Sequence, residues 1–368
     1  MKENFLRLVR LGIGHSAGPL LGPVDWDEVE DLAMRQGLLG VVLDGVHNLA
    51  ESTETIPYKK KLEWLGQVMQ GYEPRYREYR NALAELAAFY NSHGYKMMVL
   101  KGYACGRDWP RPEHRPYGDI DIWLFGKQKE ADAMLAKETG IEIDSSHHHH
   151  TVFNWMGFTV ENHYDFVNVY ARRSSAVMEK VFKELGSEAN LNHNENENSF
   201  GTRIPSVEVG GEKVYFPSAN MHALFLLKHC ISHFVGANIN LRQVLDWAFF
   251  VEKHTGEIDW KWLYEMIEKF HMKNFLNCIN AICVENLGFD AAIFKGVPFN
   301  PSQKERVLAD ILTPAFTAKT PKKLIPRVFF KYRRWKGNSW KHELCYGTSR
   351  WDGFWMLLRS HLMKPKVS

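Results

Sequence analysis

Gly118-Asp119-Ile120-Asp121-Ile122-Trp123-Leu124 is the stretch that decides the fold, because it alternates strictly between the two faces of a β-strand. Residues i and i+2 of a strand share a face, so the isoleucines point into a core while Asp119 and Asp121 project side by side. Two like charges this close are costly unless a cation neutralises them. The stretch therefore predicts a strand that presents two carboxylates to a hard divalent ion such as Mg²⁺. The alternative interpretation of a bare D-x-D is a solvated strand face.

A third carboxylate is expected on a neighbouring strand. The sequence VENHYDF alternates in the same way and puts Glu161, His163 and Asp165 on one face. We choose Glu161, because Val160 and the apolar residues beyond it can anchor the strand. Three carboxylates can hold two metal ions about 3.5–4 Å apart. His163 is a candidate to orient metal-bound water or to act as a base.

Phosphate-binding candidates precede the acids. Leu100-Lys101-Gly102 reads as a strand that ends in glycine and leads into a helix, a turn whose backbone N–H groups can cradle phosphate. Arg111 and Arg115 follow and are candidates to grip a triphosphate, with Gly118 directly before the acids. Downstream, Arg242 is a candidate contact to a triphosphate or base, although an i, i+4 ion pair with Asp246 is the favoured alternative.

The chain divides into three parts by its patterning. Residues 1–93 read as helical, with Asp25 as an N-cap. Residues 94–217 read as an α/β core, with strands expected at 96–100, 119–124, 141–144, 151–156 and 158–170, and with a hairpin around Gly210-Gly211. Residues 218–368 are helical again, with Ser218 or Asn220 as the first cap.

Composition limits the class of protein. Hydrophobic residues make up 45% and charged residues 24%, an ordinary globular balance. The five cysteines are scattered without a CxxC pair, which argues against a disulfide framework or a zinc ribbon. No run approaches the roughly 20 apolar residues of a membrane span, and the N-terminus lacks the apolar segment of a signal peptide. We therefore expect a soluble, cytoplasmic protein.

Histidines and the C-terminal tail offer further candidates. For His147–His150 a solvated or structural role is favoured, because adjacent residues alternate sides, and a phosphate contact is the alternative. His229 and His233 share a helix face, but without the HExxH signature a core or polar-network role is favoured. Residues 319–366 carry thirteen Lys/Arg and two acids, interleaved with aromatic residues. Packing on the body is the favoured interpretation, and contact with nucleic acid or a membrane surface is the alternative.

The order of these motifs resembles a known family. L-K-G, about fifteen residues, R-P-Y-G-D-I-D-I-W and then E-x-H is similar to the uncharacterised nucleotidyltransferase family, which has the polymerase β-type fold. The helical segments EVEDLAMRQGLLGVVLDGV, KHCISHF and LRQVLDWAFF extend the resemblance to about residues 25–260. In this chain the turn reads Lys101-Gly102, where the superfamily more usually has Gly-Ser.

The resemblance implies an α+β fold, in which a nucleotidyltransferase-type mixed β-sheet core is flanked by N-terminal and C-terminal helical regions. It also implies Mg²⁺ or Mn²⁺, held by Asp119, Asp121 and Glu161, and transfer of a nucleotidyl group from an NTP, with ATP favoured. It names no acceptor, which can be a small molecule, a protein or RNA. Two alternatives stay open: a catalytically inactive nucleotide- or partner-binding module of the same fold, and an RNA-acting protein that uses the basic tail.

Overall fold

Five helices form the N-terminal part of a computed structural model, which describes residues 1–49, 55–169, 173–191, 200–295, 301–314 and 323–347. The predicted cap at Asp25 is present, and its side chain accepts hydrogen bonds from the backbone N–H groups of Asp27 and Glu28. A π-helical turn, Val68–Tyr72, joins the last two helices. The helices are α1 (Lys2–Gly12), α2 (Trp26–Gln36), α3 (Leu39–His47), α4 (Tyr58–Gln67) and α5 (Glu73–Ser92).

A six-stranded mixed sheet follows, in the order β3-β4-β2-β1-β6-β5. β2 pairs antiparallel with β1 and parallel with β4, and β1 pairs parallel with β6. β3 with β4 and β5 with β6 are antiparallel hairpins, the second of which is the one predicted around Gly210-Gly211. The strands are β1 (Met98–Val99), β2 (Ile120–Trp123), β3 (His150–Trp155), β4 (Phe158–His163), β5 (Ser206–Val209) and β6 (Glu212–Tyr215).

The two faces of β2 contact different cores. Ile120 and Ile122 are fully buried in a core that the sheet shares with α5. Trp123, on the opposite face, belongs to a larger core built from the N-terminal helices together with those that follow the sheet. Because Asp121 shares the face of Trp123, the strand directs this carboxylate toward the helices and away from the α5 core.

Helices also connect and follow the strands. Ser218 begins α9 as predicted, because its hydroxyl accepts a hydrogen bond from the N–H of Met221. The remaining helices are α6 (Tyr103–Gly106), α7 (Gln128–Thr139), α8 (Arg173–Leu185), α9 (Ala219–Gly236), α10 (Leu241–His254), α11 (Trp260–Lys269), α12 (Lys273–Ala281), α13 (Pro301–Leu312) and α14 (Leu324–Tyr346).

Three strand predictions differ from the structure. The segment expected to be a strand at 141–144 makes only an isolated bridge, from Asp144 to Val152, because the Asp144 carboxylate accepts the N–H of Ser146 and turns the chain. The strand expected over 158–170 ends at His163. The next two N–H groups, at 164 and 165, both donate to the His149 carbonyl, and the Glu179 carboxylate accepts those at 166 and 167. β1 has two residues rather than five.

The described part of the basic tail is helix α14. Its second half packs on the body, where Lys341 is 1% exposed and its Nζ lies 2.6 Å from Asp310 Oδ2. Its first half exposes Phe329 and Tyr332. Residues 319–322 and 348–366 of the predicted contact surface lie outside the described residues, so contact with nucleic acid or a membrane surface stays a prediction. Among the helices described, each is too short or too polar to cross a bilayer.

Candidate active site

The register of the sheet sets the geometry of the acids. β2 and β4 are parallel neighbours in which Asp121 lies opposite Glu161 and Trp123 opposite His163. Residues opposite each other project from the same face, so Asp121 and Glu161 converge. The ligand atoms of Asp121, Glu161 and His163 all lie within 4.8 Å of one another. Two carboxylates and an imidazole are a donor set that suits a divalent cation.

Asp119 stands apart from this cluster. It precedes the first residue of β2 and is exposed, whereas Asp121 is 3% exposed. Asp119 lines the same cavity as Asp121. Among the described side chains, however, it does not belong to the cluster of Asp121, Glu161 and His163, whose ligand atoms lie within 4.8 Å of one another. Its backbone carbonyl accepts a hydrogen bond from the Tyr79 hydroxyl at 3.1 Å, which fixes the entry to the strand.

The pKa values of the two central carboxyls, Asp121 and Glu161, are shifted in opposite directions. Burial alone would raise the pKa of Asp121, but the Lys101 ammonium and the imidazole of His163 hold it well below its ordinary value. Lys101 Nζ lies 2.6 Å and His163 Nε2 3.2 Å from Asp121 Oδ1. Burial and the neighbouring charge of Asp121 raise the pKa of Glu161 to about 8. The raised pKa favours the protonated form of Glu161, and a cation bound to the carboxylate would displace that proton.

The Lys101-Gly102 turn lies beside these carboxyls. Gly102 has φ 60° and ψ −101°, a conformation that glycine adopts far more easily than other residues. A Cβ there would lie 2.3 Å from the Tyr79 hydroxyl oxygen, so the position also requires glycine for space. α6, which follows, has only four residues. The predicted strand–glycine–helix is thus present in a shortened form.

The arginines take different positions. Arg115 is 4% exposed and forms a two-bond ion pair with Asp246, at 2.8 and 2.9 Å, so the favoured i, i+4 pair of Arg242 with Asp246 is wrong. Arg242 instead donates to the Pro116 carbonyl at 3.2 Å, and its Nε has no hydrogen-bond partner. Arg111 pairs with Asp44 on α3 at 2.6 Å.

A cavity of about 580 Å³ joins these groups. The carboxyls and the Lys101-Gly102 turn form one wall, and α9 and α10 form the other. Gly118, Arg115 and Arg242 also line it. Such a cavity has the size of a small-ligand site and combines carboxylates for a cation with positive charge for phosphate.

Histidines line much of the same cavity. His229 Nδ1 lies 3.5 Å from Lys101 Nζ, and its ring lies 4.3 Å from that of His233. Burial and the nearby Lys101 hold the pKa of His229 well below its ordinary value, which agrees with the favoured polar-network role. His149 and His150 also reach the cavity. Burial and the neighbouring imidazole of His163 lower the pKa of His149 to about 2 and of His150 to about 3.

Sequence reasoning missed two parts of this site. Asp246 is the partner of Arg115 and also accepts a hydrogen bond from Trp109 Nε1 at 2.9 Å. No local spacing signals this contact, because Arg115 and Asp246 are 131 residues apart. A common site for His149 and His150 was not predicted, because adjacent residues of a strand point to opposite faces. The alternation begins only with β3 at His150, so His149 lies before it.

The mixed sheet with flanking helices is that of an α+β nucleotidyltransferase-type fold, and Asp121 and Glu161 lie opposite each other on its neighbouring strands β2 and β4. The chain belongs to the uncharacterised nucleotidyltransferase family, whose sequence profile matches residues 22–288, and this confirms the resemblance. The crystal structure of an antigenic nucleotidyltransferase-like protein from Paracoccidioides brasiliensis is similar over 60% of this chain and 98% of that chain, at 11% identity and a TM-score of 0.33. No curated protein sequence matches significantly.

Proposed function

We propose that this protein transfers a nucleotidyl group from an NTP, with ATP favoured, to the hydroxyl of an acceptor. The observation that carries the proposal is the register pair Asp121 and Glu161, which converges beside the Lys101-Gly102 turn in a cavity of about 580 Å³. Membership of the nucleotidyltransferase family supports the reaction class.

In the proposed reaction, the acceptor oxygen forms a bond to the α-phosphorus. The bond from that phosphorus to the bridging oxygen of the β-phosphate breaks, and pyrophosphate leaves. The hydroxyl proton would pass to the Glu161 carboxylate, which a bound cation would keep deprotonated. The acceptor would enter between the sheet and helices α9 and α10.

Each further residue has a binding role in the proposal. Asp119, Asp121 and Glu161 would hold Mg²⁺ or Mn²⁺, which when bound neutralises phosphate charge and polarises the reacting oxygens. Lys101, released from Asp121 by the cation, would turn to the phosphates together with the Gly102 backbone. Arg242, with a free Nε, would contact the triphosphate or base. Arg115 would act mainly through Asp246, by fixing α10 against the loop before β2.

Labelled nucleotides test this proposal. Protein, Mg²⁺ or Mn²⁺ and a cell extract are incubated in parallel with α-labelled and γ-labelled NTPs. Nucleotidyl transfer moves the α-label into an acceptor and leaves the γ-label in pyrophosphate, whereas phosphoryl transfer moves the γ-label into the acceptor and leaves the α-label in the nucleoside diphosphate. We expect α-label transfer that the Asp119→Ala/Asp121→Ala double variant abolishes. The matched control is Glu142→Gln, an exposed carboxyl outside the cavity. Absence of α-label transfer under every condition would refute the proposal.

A second candidate function is a nucleotide-binding module without catalysis. The Lys101 ammonium at 2.6 Å from Asp121 favours it, because this protein cation neutralises the carboxylate that a metal ion would use. Calorimetry with ATP and Mg²⁺ separates the two functions. Binding without turnover that Asp119→Asn leaves unchanged would support the module. The enzyme would be supported if ATP binding depends on metal and if Lys101→Met binds the cation more tightly but ATP more weakly than the wild type.

A further inference from the structure

We infer that the cavity contains a second metal site, formed by His149, His150 and His163, that binds a transition-metal ion of the Zn²⁺ class. The inference goes beyond nucleotide transfer, because such an ion would bind the three imidazoles without nucleotide. One ligand nitrogen from each ring lies within 4.8 Å of the other two.

The three rings face one another at the junction of β3, β4 and the segment before β3. The ring centroids are 4.4 Å apart for His149 and His150, 5.2 Å for His150 and His163, and 5.6 Å for His149 and His163. Three nitrogens that share one zinc ion at about 2.0–2.1 Å lie about 3.3 Å apart. Small side-chain rotations therefore suffice to close the set around one ion.

Two of the rings carry nitrogens without a partner. The Nδ1 atoms of His149 and His150 are buried and make no hydrogen bond, and His150 as a whole is 7% exposed. A buried polar atom without a partner is destabilising, and a coordinated ion removes that penalty. This is the observation that distinguishes the trio from an ordinary cluster of core histidines.

The third ring, that of His163, is oriented by a hydrogen bond to a backbone carbonyl, as metal-binding histidines commonly are. His163 Nδ1 lies 3.2 Å from the Asp165 carbonyl oxygen, which can only accept, so Nδ1 carries the proton and donates it. On the cavity side, Asp121 Oδ1 lies 3.2 Å from Nε2, and a carboxylate oxygen without a proton can also only accept a hydrogen bond. Two lone pairs repel unless a proton or a metal ion lies between them. A carbonyl that fixes the tautomer is the common outer partner of a metal-bound histidine.

The donor type selects the ion. Mg²⁺ and Ca²⁺ prefer oxygen ligands, whereas imidazole suits zinc, copper, nickel and iron. The trio supplies three nitrogens from side chains and leaves further positions toward the cavity, where Glu161 Oε1 lies 3.9 Å from His150 Nε2. Because His163 also belongs to the Asp121 and Glu161 cluster, an ion on the trio would lie directly beside the carboxyls proposed for Mg²⁺.

Zinc titration of the full chain tests the inference. The protein is prepared without a polyhistidine tag, stripped of metal and titrated calorimetrically with Zn²⁺ against a competing chelator, in the absence of nucleotide. We expect one zinc per chain, not displaced by millimolar Mg²⁺. His149→Gln and His150→Gln, made singly, should each weaken zinc binding about tenfold or more. His148→Gln, in the same run but outside the trio, should leave it unchanged.

Other outcomes discriminate clearly. Zinc binding that survives both His149→Gln and His150→Gln but is lost in His229→Gln would move the site to α9 and overturn the inference. Absence of zinc binding in the folded wild-type chain would also overturn it. Asp119→Asn, expected to abolish nucleotide transfer, should bind zinc as the wild type does. The two proposals therefore fail independently.

Discussion

Replacing Arg115 with methionine tests the buried ion pair that joins the loop before β2 to α10. The side chains of Arg115 and Asp246 are 5% and 8% exposed, and two hydrogen bonds of 2.8 and 2.9 Å connect them. Arg115→Met would leave the Asp246 carboxylate buried with only the Trp109 N–H as a donor. Removing one partner of a buried pair costs about 3–5 kcal/mol.

Urea denaturation measures this cost. With a slope of about 3 kcal/mol/M, we expect the midpoint to fall by about 1–1.7 M. The matched control is Arg35→Met, which breaks a pair with Asp31 of similar length, 2.9 Å, whose side chains are 50% and 63% exposed. Exposed helix pairs contribute about 0.3–0.5 kcal/mol, so the control midpoint should barely move.

A double variant completes the cycle. Arg115→Met/Asp246→Leu replaces both charges by apolar groups and should recover most of the lost stability, because no unpaired charge remains. If Arg115→Met loses less than about 1 kcal/mol, or if the double variant is as unstable as the single one, the ion pair does not hold the site together. Arg115 would then be free to bind phosphate directly.

Three further predictions concern single positions. Gly102→Ala should cost about 2–4 kcal/mol in thermal or urea unfolding, because it combines a strained φ with overlap on Tyr79, whereas Gly66→Ala, where a Cβ meets nothing, should cost nothing. Burial and the charge of Asp165 raise the pKa of Glu179 to about 7, so its stabilisation is full below about pH 4.5 and declines as the pH rises to about 7. Glutamine has no charge to lose, so the free energy of unfolding of Glu179→Gln relative to that of the wild type should rise by up to about 3 kcal/mol between pH 4.5 and pH 7.5. A relative stability that does not change with pH would contradict this. Asp25→Ala should cost about 1 kcal/mol by loss of the α2 cap, and Asp25→Asn, which keeps the acceptor, should cost much less.

Local patterns carried the prediction of the fold. Ile120 and Ile122 alternate with the acids, and both are fully buried as the alternation requires. The mixed sheet with flanking helices and the family were confirmed. The same alternation in VENHYDF selected Glu161, which the parallel register brings opposite Asp121. The roles of these acids in binding metal and nucleotide stay predictions.

Contacts between distant parts of the chain were beyond sequence reasoning. The spacing of Arg242 and Asp246 fits a helix face, but Asp246 turns toward Trp109 and Arg115, which only the packing of α10 on the loop decides. Lys101 is predicted from the sequence to bind phosphate, but its Nζ lies 2.6 Å from Asp121 Oδ1, a contact that depends on the packing of the turn beside β2. The meeting of His149 and His150 with His163 depends on the exact start of β3, and strand ends are poorly defined by alternation.

The wide separation between partners in the cavity wall has a consequence for how the protein is made. Met98 of β1 pairs with Tyr215 of β6, and Arg115 lies 131 residues before its partner Asp246 in the sequence. On the ribosome, at about 5–20 residues per second, the carboxylate strand would emerge several seconds before the second wall of its cavity. A nascent chain that stops before α10 would therefore hold the acids without the ligand pocket. Chaperone capture and proteolysis should concentrate on that interval of synthesis.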